Sequence, residues 1–144
     1  MSTNRNERNI PETATNKMLD CLWAARNLAL YTILICSNQK NFPPEYYITM
    51  TSDLIQKAKD IYRLGRRANA IYVQGKNKEK RWEERSRYQR EAIFLCVDLI
   101  SDIDIAKTLF HIRGKRVKNW TSQVVEVKRM YIAWHNADRE RYTQ

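Results

Sequence analysis

The segment "EAIFLCVDLISDIDIAKTLF", residues 91–110, decides the fold class. Its apolar residues recur at alternating steps of four and three, which places them on one face of an α-helix. The seam they form is Ala92, Cys96, Leu99, Ile103, Ala106 and Phe110. The positions between them hold the charged and polar residues Asp98, Ser101, Asp102, Asp104, Lys107 and Thr108, together with further apolar residues. We therefore predict a long amphipathic helix that runs from about Glu79 to Phe110.

Three further segments carry the same spacing. A first helix is expected over about residues 16–37, a second from within residues 48–54, and a fourth after Gly114. Capping by Thr49, Thr51 or Ser52 is predicted at the start of the second helix. Gly65 falls on the apolar stripe of that helix, where a missing side chain lets a neighbouring helix approach closely. The stripes are Met18, Leu22, Ala25, Ala29, Thr32 and Cys36 in the first helix; Leu54, Ile55, Ala58, Ile61, Tyr62, Ala68 and Tyr72 in the second; and Val117, Trp120, Val124, Val127, Tyr131 and Trp134 in the fourth.

The composition supports one small helical domain. With 144 residues, 43% of them hydrophobic, the chain can bury a core of its own. Only three glycines and three prolines are present, which is too few for the many turns of a strand-rich fold. The predicted fold is all-α, an antiparallel four-helix bundle over residues 16–138. Residues 1–15 are predicted to be a disordered polar tail, and residues 139–144 a frayed C-terminus.

The first helix is apolar on more than one side. Leu28, Leu30, Tyr31, Ile33 and Leu34 lie off its main stripe, which predicts a further neighbour such as another subunit. The longest apolar run, residues 28–36, is too short to span a bilayer, and no signal peptide is visible. Cys21, Cys36 and Cys96 lack the spacing of a zinc site or a disulfide framework. We predict buried free thiols, a cytoplasmic location and no membrane association.

Positive charge is concentrated in two regions. The net charge is +10 and the pI is about 9.7, which predicts attraction to nucleic acid, an anionic membrane or an acidic protein. Residues 57–90 contain twelve basic and four acidic residues, and residues 113–129 contain six basic and one acidic. The rest of the chain is slightly acidic. The basic regions are therefore the candidate contact surfaces.

Within these regions, cations recur at helical spacing. Lys59, Arg63 and Arg67 follow one another at steps of four, and like charges so placed repel by a few tenths of a kcal/mol per pair. A polyanion over the row would remove this cost, although a solvated, ion-paired face remains the alternative. The predicted contacts with phosphates or a polymerase are Lys59, Arg63, Arg66, Arg67, Lys78, Arg81, Arg85, Lys115, Arg116 and Lys118. Nothing in the pattern chooses between RNA, DNA and an acidic protein surface.

Signals for catalysis are weak. His111 and His135 stand alone in the sequence, without metal-ligand spacing around them. Asp98 and Asp102 share a helical face, where ion pairing is a more typical role than metal binding. No Gly-rich phosphate loop, GxSxG or CxxC motif occurs. We predict no enzymatic activity, no cofactor and no metal. Trp82 is interpreted as capping one end of the core, with base stacking as the alternative.

Three stretches carry a family resemblance: "NFPPEYYITMTSDLIQKA" (41–58), "RWEERSRYQREAIFLCVDLISDIDIAKTL" (81–109) and "QVVEVKRMYIAW" (123–134). They resemble the accessory proteins of diversity-generating retroelements (the accessory variability determinant) and related four-helix proteins encoded in 23S rRNA intervening sequences. Phe42-Pro43 and Trp134 are the best anchors, and the resemblance covers about residues 16–136. It implies a barrel-like homopentamer of basic bundles, without catalytic activity of its own. It also implies binding to a reverse transcriptase and to its RNA template or cDNA.

The leading hypothesis is thus a non-enzymatic accessory protein that binds nucleic acid and a reverse transcriptase. The alternative is a helical scaffold for protein–protein interaction that binds no nucleic acid. The apolar excess of the first helix favours that alternative, and the clustered charge favours the first hypothesis.

Overall fold

Four long helices make up most of the chain that the structure describes. A computed structural model gives the backbone of residues 12–144 and the side chains of residues 17–144. The helices are α1 (Glu12–Cys36), α2 (Ser52–Asn69), α3 (Lys78–Phe110) and α4 (Gly114–Tyr142). The prediction of an all-α four-helix bundle is confirmed. Of the predicted tail, residues 1–11 lie outside the described residues, and residues 12–15 belong to α1.

The helices form a closed ring around the core. The principal contacts join α1 to α2, α2 to α3, α3 to α4, and α4 back to α1, so α1 and α3 are diagonal. The α3 seam from Ala92 to Ala106 is fully buried, as its spacing predicted. Trp120 and Trp134 of α4 are also fully buried, and Trp120 Nε1 donates a hydrogen bond to Thr32 Oγ1 at 3.0 Å. This bond satisfies two polar groups inside the core and joins α4 to α1.

At the centre of the bundle, α2 and α4 come close across the core. Tyr131 of α4 is fully buried, and its hydroxyl donates a hydrogen bond to the carbonyl of Ile61. A Cβ added at Gly65 would lie 2.2 Å from the Tyr131 Oη and 2.8 Å from Leu22 Cδ2. Only glycine leaves room for these side chains, which confirms the close approach expected at Gly65.

The start of α2 differs from the expectation. A 3₁₀ turn (Pro44–Tyr46) and a π-helical turn (Tyr47–Thr51) run directly into α2. No side chain caps the helix, because the preceding turn supplies the acceptors: the Ser52 N–H, for example, bonds to the Tyr47 carbonyl. The predicted capping by Thr49, Thr51 or Ser52 is therefore not made.

Two helix ends also differ. The α2 helix ends at Asn69, so Tyr72, placed on its stripe from the sequence, is 65% exposed in the following loop. Gly75 supplies the positive φ of +81° that this loop needs before α3 begins. At the other end of the chain, α4 continues to Tyr142 instead of fraying after residue 138. Burial of Asp138 and packing of Tyr142 against Trp82 hold this last turn in place.

The α1 helix presents apolar side chains to solvent as well as to the core. Residues Lys17–Cys36 are long and apolar enough to cross a membrane by length and composition, and 44% of that window is buried in the bundle. A core helix of a soluble protein passes the same test. The exposed side chains on α1 are Leu19, Trp23, Leu30, Ile33 and Leu34.

Candidate nucleic-acid interface

Most of the predicted contact residues lie on the surface of the bundle. Lys59 is partly exposed, and the other residues on the surface are Arg63, Arg66, Arg67, Lys78, Arg81, Lys115, Arg116 and Lys118. Arg85 is the exception, because its side chain is buried. The surface residues form two groups, one along α2 and the start of α3, and the other at the start of α4.

The first group runs along α2 from Lys59 and continues into the first turn of α3. We call it the α2–α3 cluster, and its members are Lys59, Arg63, Arg66, Arg67, Lys78 and Arg81. The two helix ends are held together by Arg85 Nη1, which donates to the carbonyls of Ala68 (3.2 Å) and Ile71 (3.0 Å). Arg81 Nη1 likewise donates to the Tyr72 carbonyl at 3.2 Å. The structure thus brings together the cations of the two helices that the sequence placed in separate rows.

The second group lies at the start of α4. Lys115, Arg116 and Lys118 form this α4 cluster, which follows the turn after α3. The α3 helix is 33 residues long, about 50 Å at 1.5 Å per residue, so Lys78 at its start and the α4 cluster beyond its end lie far apart. Arg63 and Arg67 lie between them, beside Glu91 and Phe94. The ten predicted residues therefore do not form one site.

Few of the cluster cations are neutralised by the protein. Arg63 Nη1 lies 3.3 Å from Asp60 Oδ1, an exposed pair one turn apart. None of the other surface residues of the two clusters forms an ion pair with a carboxylate of residues 17–144. An ion-paired face was the alternative to an anion-binding one. In this part of the chain, the cluster cations other than Arg63 are therefore accessible to an anionic ligand as well as to water.

The helix dipoles act differently on the two clusters. Arg66 and Arg67 occupy the last turn of α2, where the partial negative charge of the helix end stabilises cations. Lys78 instead lies in the first turn of α3, and Lys115 and Arg116 in the first turn of α4, where the partial charge is positive. The first turn of α4 contains no acidic residue. Cations at this position are electrostatically unfavourable until an anion approaches.

Arg85 was predicted to contact phosphate, and the structure corrects this. Its Nε donates to Asp138 Oδ2 at 2.8 Å, and its guanidinium lies over the Trp134 ring, 5.4 Å from the centroid. Gln89 Nε2 donates to the same carboxylate oxygen at 2.8 Å. Because all these groups are buried, the charge of Arg85 is compensated inside the bundle and is not available to a ligand.

Trp82 closes the same end of the bundle. Its ring stacks on His135 at 5.7 Å and lies 5.6 Å from the Tyr142 ring, which confirms the interpretation that it caps the core. His135 Nε2 is 2.8 Å from Ser86 Oγ. The pKa of His135 is lowered chiefly by burial, and then by the nearby charges of Arg139 and Arg90.

The Ser86–His135 pair does not continue to a carboxylate. Asp138, one turn after His135, uses its Oδ2 to accept from Arg85 and Gln89. A hydrolytic triad needs a carboxylate that orients the imidazole, whereas the Asp138 Oδ2 accepts hydrogen bonds from Arg85 and Gln89. The hydrogen bond between Ser86 and His135 therefore joins α3 to α4 as a structural contact.

Asp102, one of the acidic residues of α3, forms an ion pair with a lysine of α2. Lys57 Nζ bonds to Asp102 Oδ2 at 2.5 Å and to Asp53 Oδ2 at 2.6 Å, which confirms ion pairing for Asp102. Partial burial lowers the pKa of Lys57, but the hydrogen bonds to Asp102 and Asp53 together outweigh it, and the pKa is raised above its ordinary value. Among the described residues, no group of three or more His, Cys, Asp or Glu side chains is placed to hold a metal ion.

A groove between α2 and α3 adds a feature that the sequence did not reveal. It has a volume of about 500 Å³ and is lined by Asp60, Arg63, Leu64, Arg67, Glu91, Phe94 and Leu95. Phe94 is 68% exposed on its wall. The position of Phe94 off the α3 seam was a signal for this exposure. The groove overlaps the α2–α3 cluster through Arg63 and Arg67.

Comparison with known proteins identifies no relative: no family model, curated protein or solved structure matches the chain.

Proposed function

We propose that the protein is a non-enzymatic nucleic-acid-binding subunit, whose two cationic clusters contact the phosphates of RNA or cDNA. The observation that carries this proposal is the set of cluster cations without a carboxylate partner in residues 17–144. Such cations gain from a polyanion without breaking an existing ion pair. Each phosphate contact also releases condensed counterions, which makes binding favourable at low salt.

The finer proposal is that the protein serves a reverse transcriptase as its accessory subunit in a diversity-generating retroelement. It rests on the resemblance carried by residues 41–58, 81–109 and 123–134, and on the basic surface that such a role requires. Both clusters can contact a template that the polymerase holds, so loss of these cations is expected to weaken the complex. The proposal includes assembly of the chain into a homo-oligomer, which is a pentamer in that family.

A second candidate function is a protein-interaction scaffold. The observation that favours it is the exposed apolar surface of α1, where Trp23 is 64% and Leu34 is 73% exposed. Exposed apolar side chains on one helix are typical of surfaces that another protein covers. This surface lies on a different helix from both clusters, so a partner there is compatible with nucleic-acid binding elsewhere.

Equilibrium binding across a salt series tests the proposal. The ligands are a structured RNA and a single-stranded DNA of matched sequence. We expect affinity to fall steeply with salt for the native protein, because several phosphates are neutralised. Arg66→Glu/Arg67→Glu and Lys115→Glu/Arg116→Glu each remove two cations from one cluster, and each variant is expected to flatten the salt dependence by roughly two phosphate contacts.

The matched control is Lys17→Glu/Arg26→Glu, which makes the same change in net charge on exposed α1 positions outside both clusters. We expect it to keep most of the affinity. Equal losses in the control and the cluster variants would mean that only net charge matters, which contradicts the assignment of a site. No binding to either ligand at low salt would overturn the nucleic-acid proposal and leave the scaffold.

The polymerase part of the proposal needs its own measurement. We expect the native chain to co-purify with the reverse transcriptase of the same element. We expect the variant Arg63→Glu/Arg66→Glu/Arg67→Glu to lose this co-purification. A complex that survives this reversal with the bundle folded would exclude the α2–α3 cluster as the polymerase contact.

A further inference from the structure

The groove between α2 and α3 combines an aromatic wall with a free cation. Phe94 presents its ring on one side, and Leu64 and Leu95 form the apolar floor beneath it. Arg67 lies on the α2 side of the groove. An exposed aromatic side chain in a concave, partly apolar site offers a flat surface on which the ring of a ligand can stack.

Some of the charged side chains that line the groove already form ion pairs or hydrogen bonds with other side chains of the protein. Asp60 accepts from Arg63 (3.3 Å) and from Gln56 Nε2 (2.9 Å), and Glu91 accepts from Arg87 (3.2 Å). Arg67 makes no ion pair with a carboxylate of residues 17–144. The groove thus offers one uncompensated cation, together with carboxylate oxygens that can accept further hydrogen bonds.

These features fit one nucleotide. A base has a flat π-face for Phe94 and amino groups that donate to a carboxylate, and its ribose carries a hydroxyl that can donate as well. Its phosphate is the anion that Arg67 lacks. An acidic side chain of a protein would also satisfy Arg67, but a base carries on one rigid ring both a π-face for Phe94 and amino donors for Asp60 and Glu91. The balance of groups therefore favours a nucleotide.

We propose that the groove holds one unpaired nucleotide of single-stranded RNA, with its base stacked on Phe94 and its phosphate on Arg67. The proposal rests on the nucleic-acid binding proposed above and specifies the strand. A base inside a duplex is stacked on its neighbours and cannot reach Phe94, whereas a base in a single strand can. The clusters supply affinity for any polyanion, and the groove adds a preference for unpaired RNA.

The test compares Phe94→Ala with Phe94→Leu, which keeps apolar volume but removes the ring. The control is Ile105→Ala, a truncation at another exposed apolar position of α3 (53%) that does not line the groove. The probes are a single-stranded RNA, the same strand annealed into a duplex, and a single-stranded DNA of the same sequence. Sedimentation of every variant records its oligomeric state.

For single-stranded RNA we expect about a tenfold loss of affinity in both Phe94 variants and no loss in Ile105→Ala. Affinity for the duplex is expected to be the same in all variants. Equal affinity of the native protein for single-stranded DNA and RNA would overturn the assignment to RNA. Unchanged RNA binding in Phe94→Ala would overturn the stacking site while leaving the phosphate contacts of the clusters intact.

Three other outcomes have separate meanings. A change of oligomeric state in Phe94→Ala would identify Phe94 as a subunit contact and overturn the nucleotide site. Failure of the native protein to bind any of the three probes at low salt would overturn the site and the proposed function together. Loss of duplex and single-strand affinity by equal factors in Phe94→Ala would also contradict a site for an unpaired base.

Discussion

Arg85 and Asp138 form a buried ion pair, with 2.8 Å between Nε and Oδ2, that joins the first part of α3 to the last turns of α4. The same guanidinium holds the end of α2 through two backbone carbonyls. Three of the four helices therefore meet at one charged side chain. This contact positions the α2–α3 cluster relative to the rest of the bundle.

Removal of this cation should destabilise the fold. In Arg85→Met, Asp138 stays buried without its partner, and we expect a loss of about 3–5 kcal/mol in the free energy of unfolding. Arg81→Met is the control, since Arg81 is exposed one turn earlier on the same helix. Urea denaturation measures both. Arg85→Met/Asp138→Asn removes the unpaired charge but keeps an acceptor for Gln89, and should recover much of the loss. A double variant no more stable than Arg85→Met would argue against an unpaired charge as the cause.

The close contact at Gly65 predicts an overpacking effect. A methyl group there would overlap the Tyr131 hydroxyl, so we expect Gly65→Ala to cost about 1–3 kcal/mol in thermal or urea unfolding. Gly114→Ala, where nothing lies within 4 Å, should change stability by less than about 0.5 kcal/mol. In a Tyr131→Phe background the cost of Gly65→Ala should shrink. An unchanged cost there would point to Leu22, not Tyr131, as the obstacle.

The environment of His135 predicts a loss of stability in mild acid. Burial, together with Arg139 and Arg90, lowers its pKa below the ordinary 6.5, and Asp138 opposes this only in part. The unfolded chain then binds the proton more tightly than the folded one. Stability should fall as the pH drops through and below about 6.5, and not above it. Urea unfolding across this range measures the effect, and a wild-type slope retained in His135→Gln would contradict the assignment.

The first turn of α4 predicts opposite effects on stability and binding. Lys115→Glu/Arg116→Glu replaces cations at a positive helix end with anions, and should stabilise the fold by about 0.3–1 kcal/mol per charge at low salt. The same variant should bind nucleic acid more weakly. Thermal unfolding and a binding titration on one preparation test both. Arg66→Glu/Arg67→Glu, at the opposite type of helix end, should instead lose both stability and affinity.

The buried thiols predict slow chemical labelling. Burial raises the pKa of Cys36 and of Cys96 to about 12 each, and it also raises the pKa of Cys21. The reactive thiolate is therefore scarce in the folded protein, and access is closed. We expect a thiol reagent to label none of the three cysteines rapidly at neutral pH and all three in denaturant. Rapid native labelling of any one would mean that its helix opens locally.

The sequence predicted the fold well because each helix carries a regular apolar seam. The α3 spacing from Ala92 to Ala106 corresponds directly to full burial. The helix ends were less predictable. Tyr72 continues the α2 stripe at the correct spacing, yet the carbonyls near it bond to Arg85 and Arg81 in a loop instead of extending a helix.

Prediction of the site was limited for a different reason. The residues next to Arg85 in the sequence are strongly charged, so the pattern there predicts that every cation is exposed. The informative signal was 53 residues away: Asp138 continues the α4 seam of Tyr131 and Trp134 by a step of four. A lone carboxylate on an apolar seam indicates a buried cation, but spacing alone does not name the partner. The separation of the clusters likewise depended on the topology of the bundle.

The length of α3 also sets how long a nucleic acid must be to contact the whole basic surface. Lys78 and the α4 cluster are about 50 Å apart along α3, which corresponds to about fifteen base pairs of a double helix at 3.4 Å per step. Arg63 and Arg67 lie between these ends, beside Phe94. A shorter duplex therefore contacts only some of the cations, so affinity should rise with duplex length up to about fifteen base pairs.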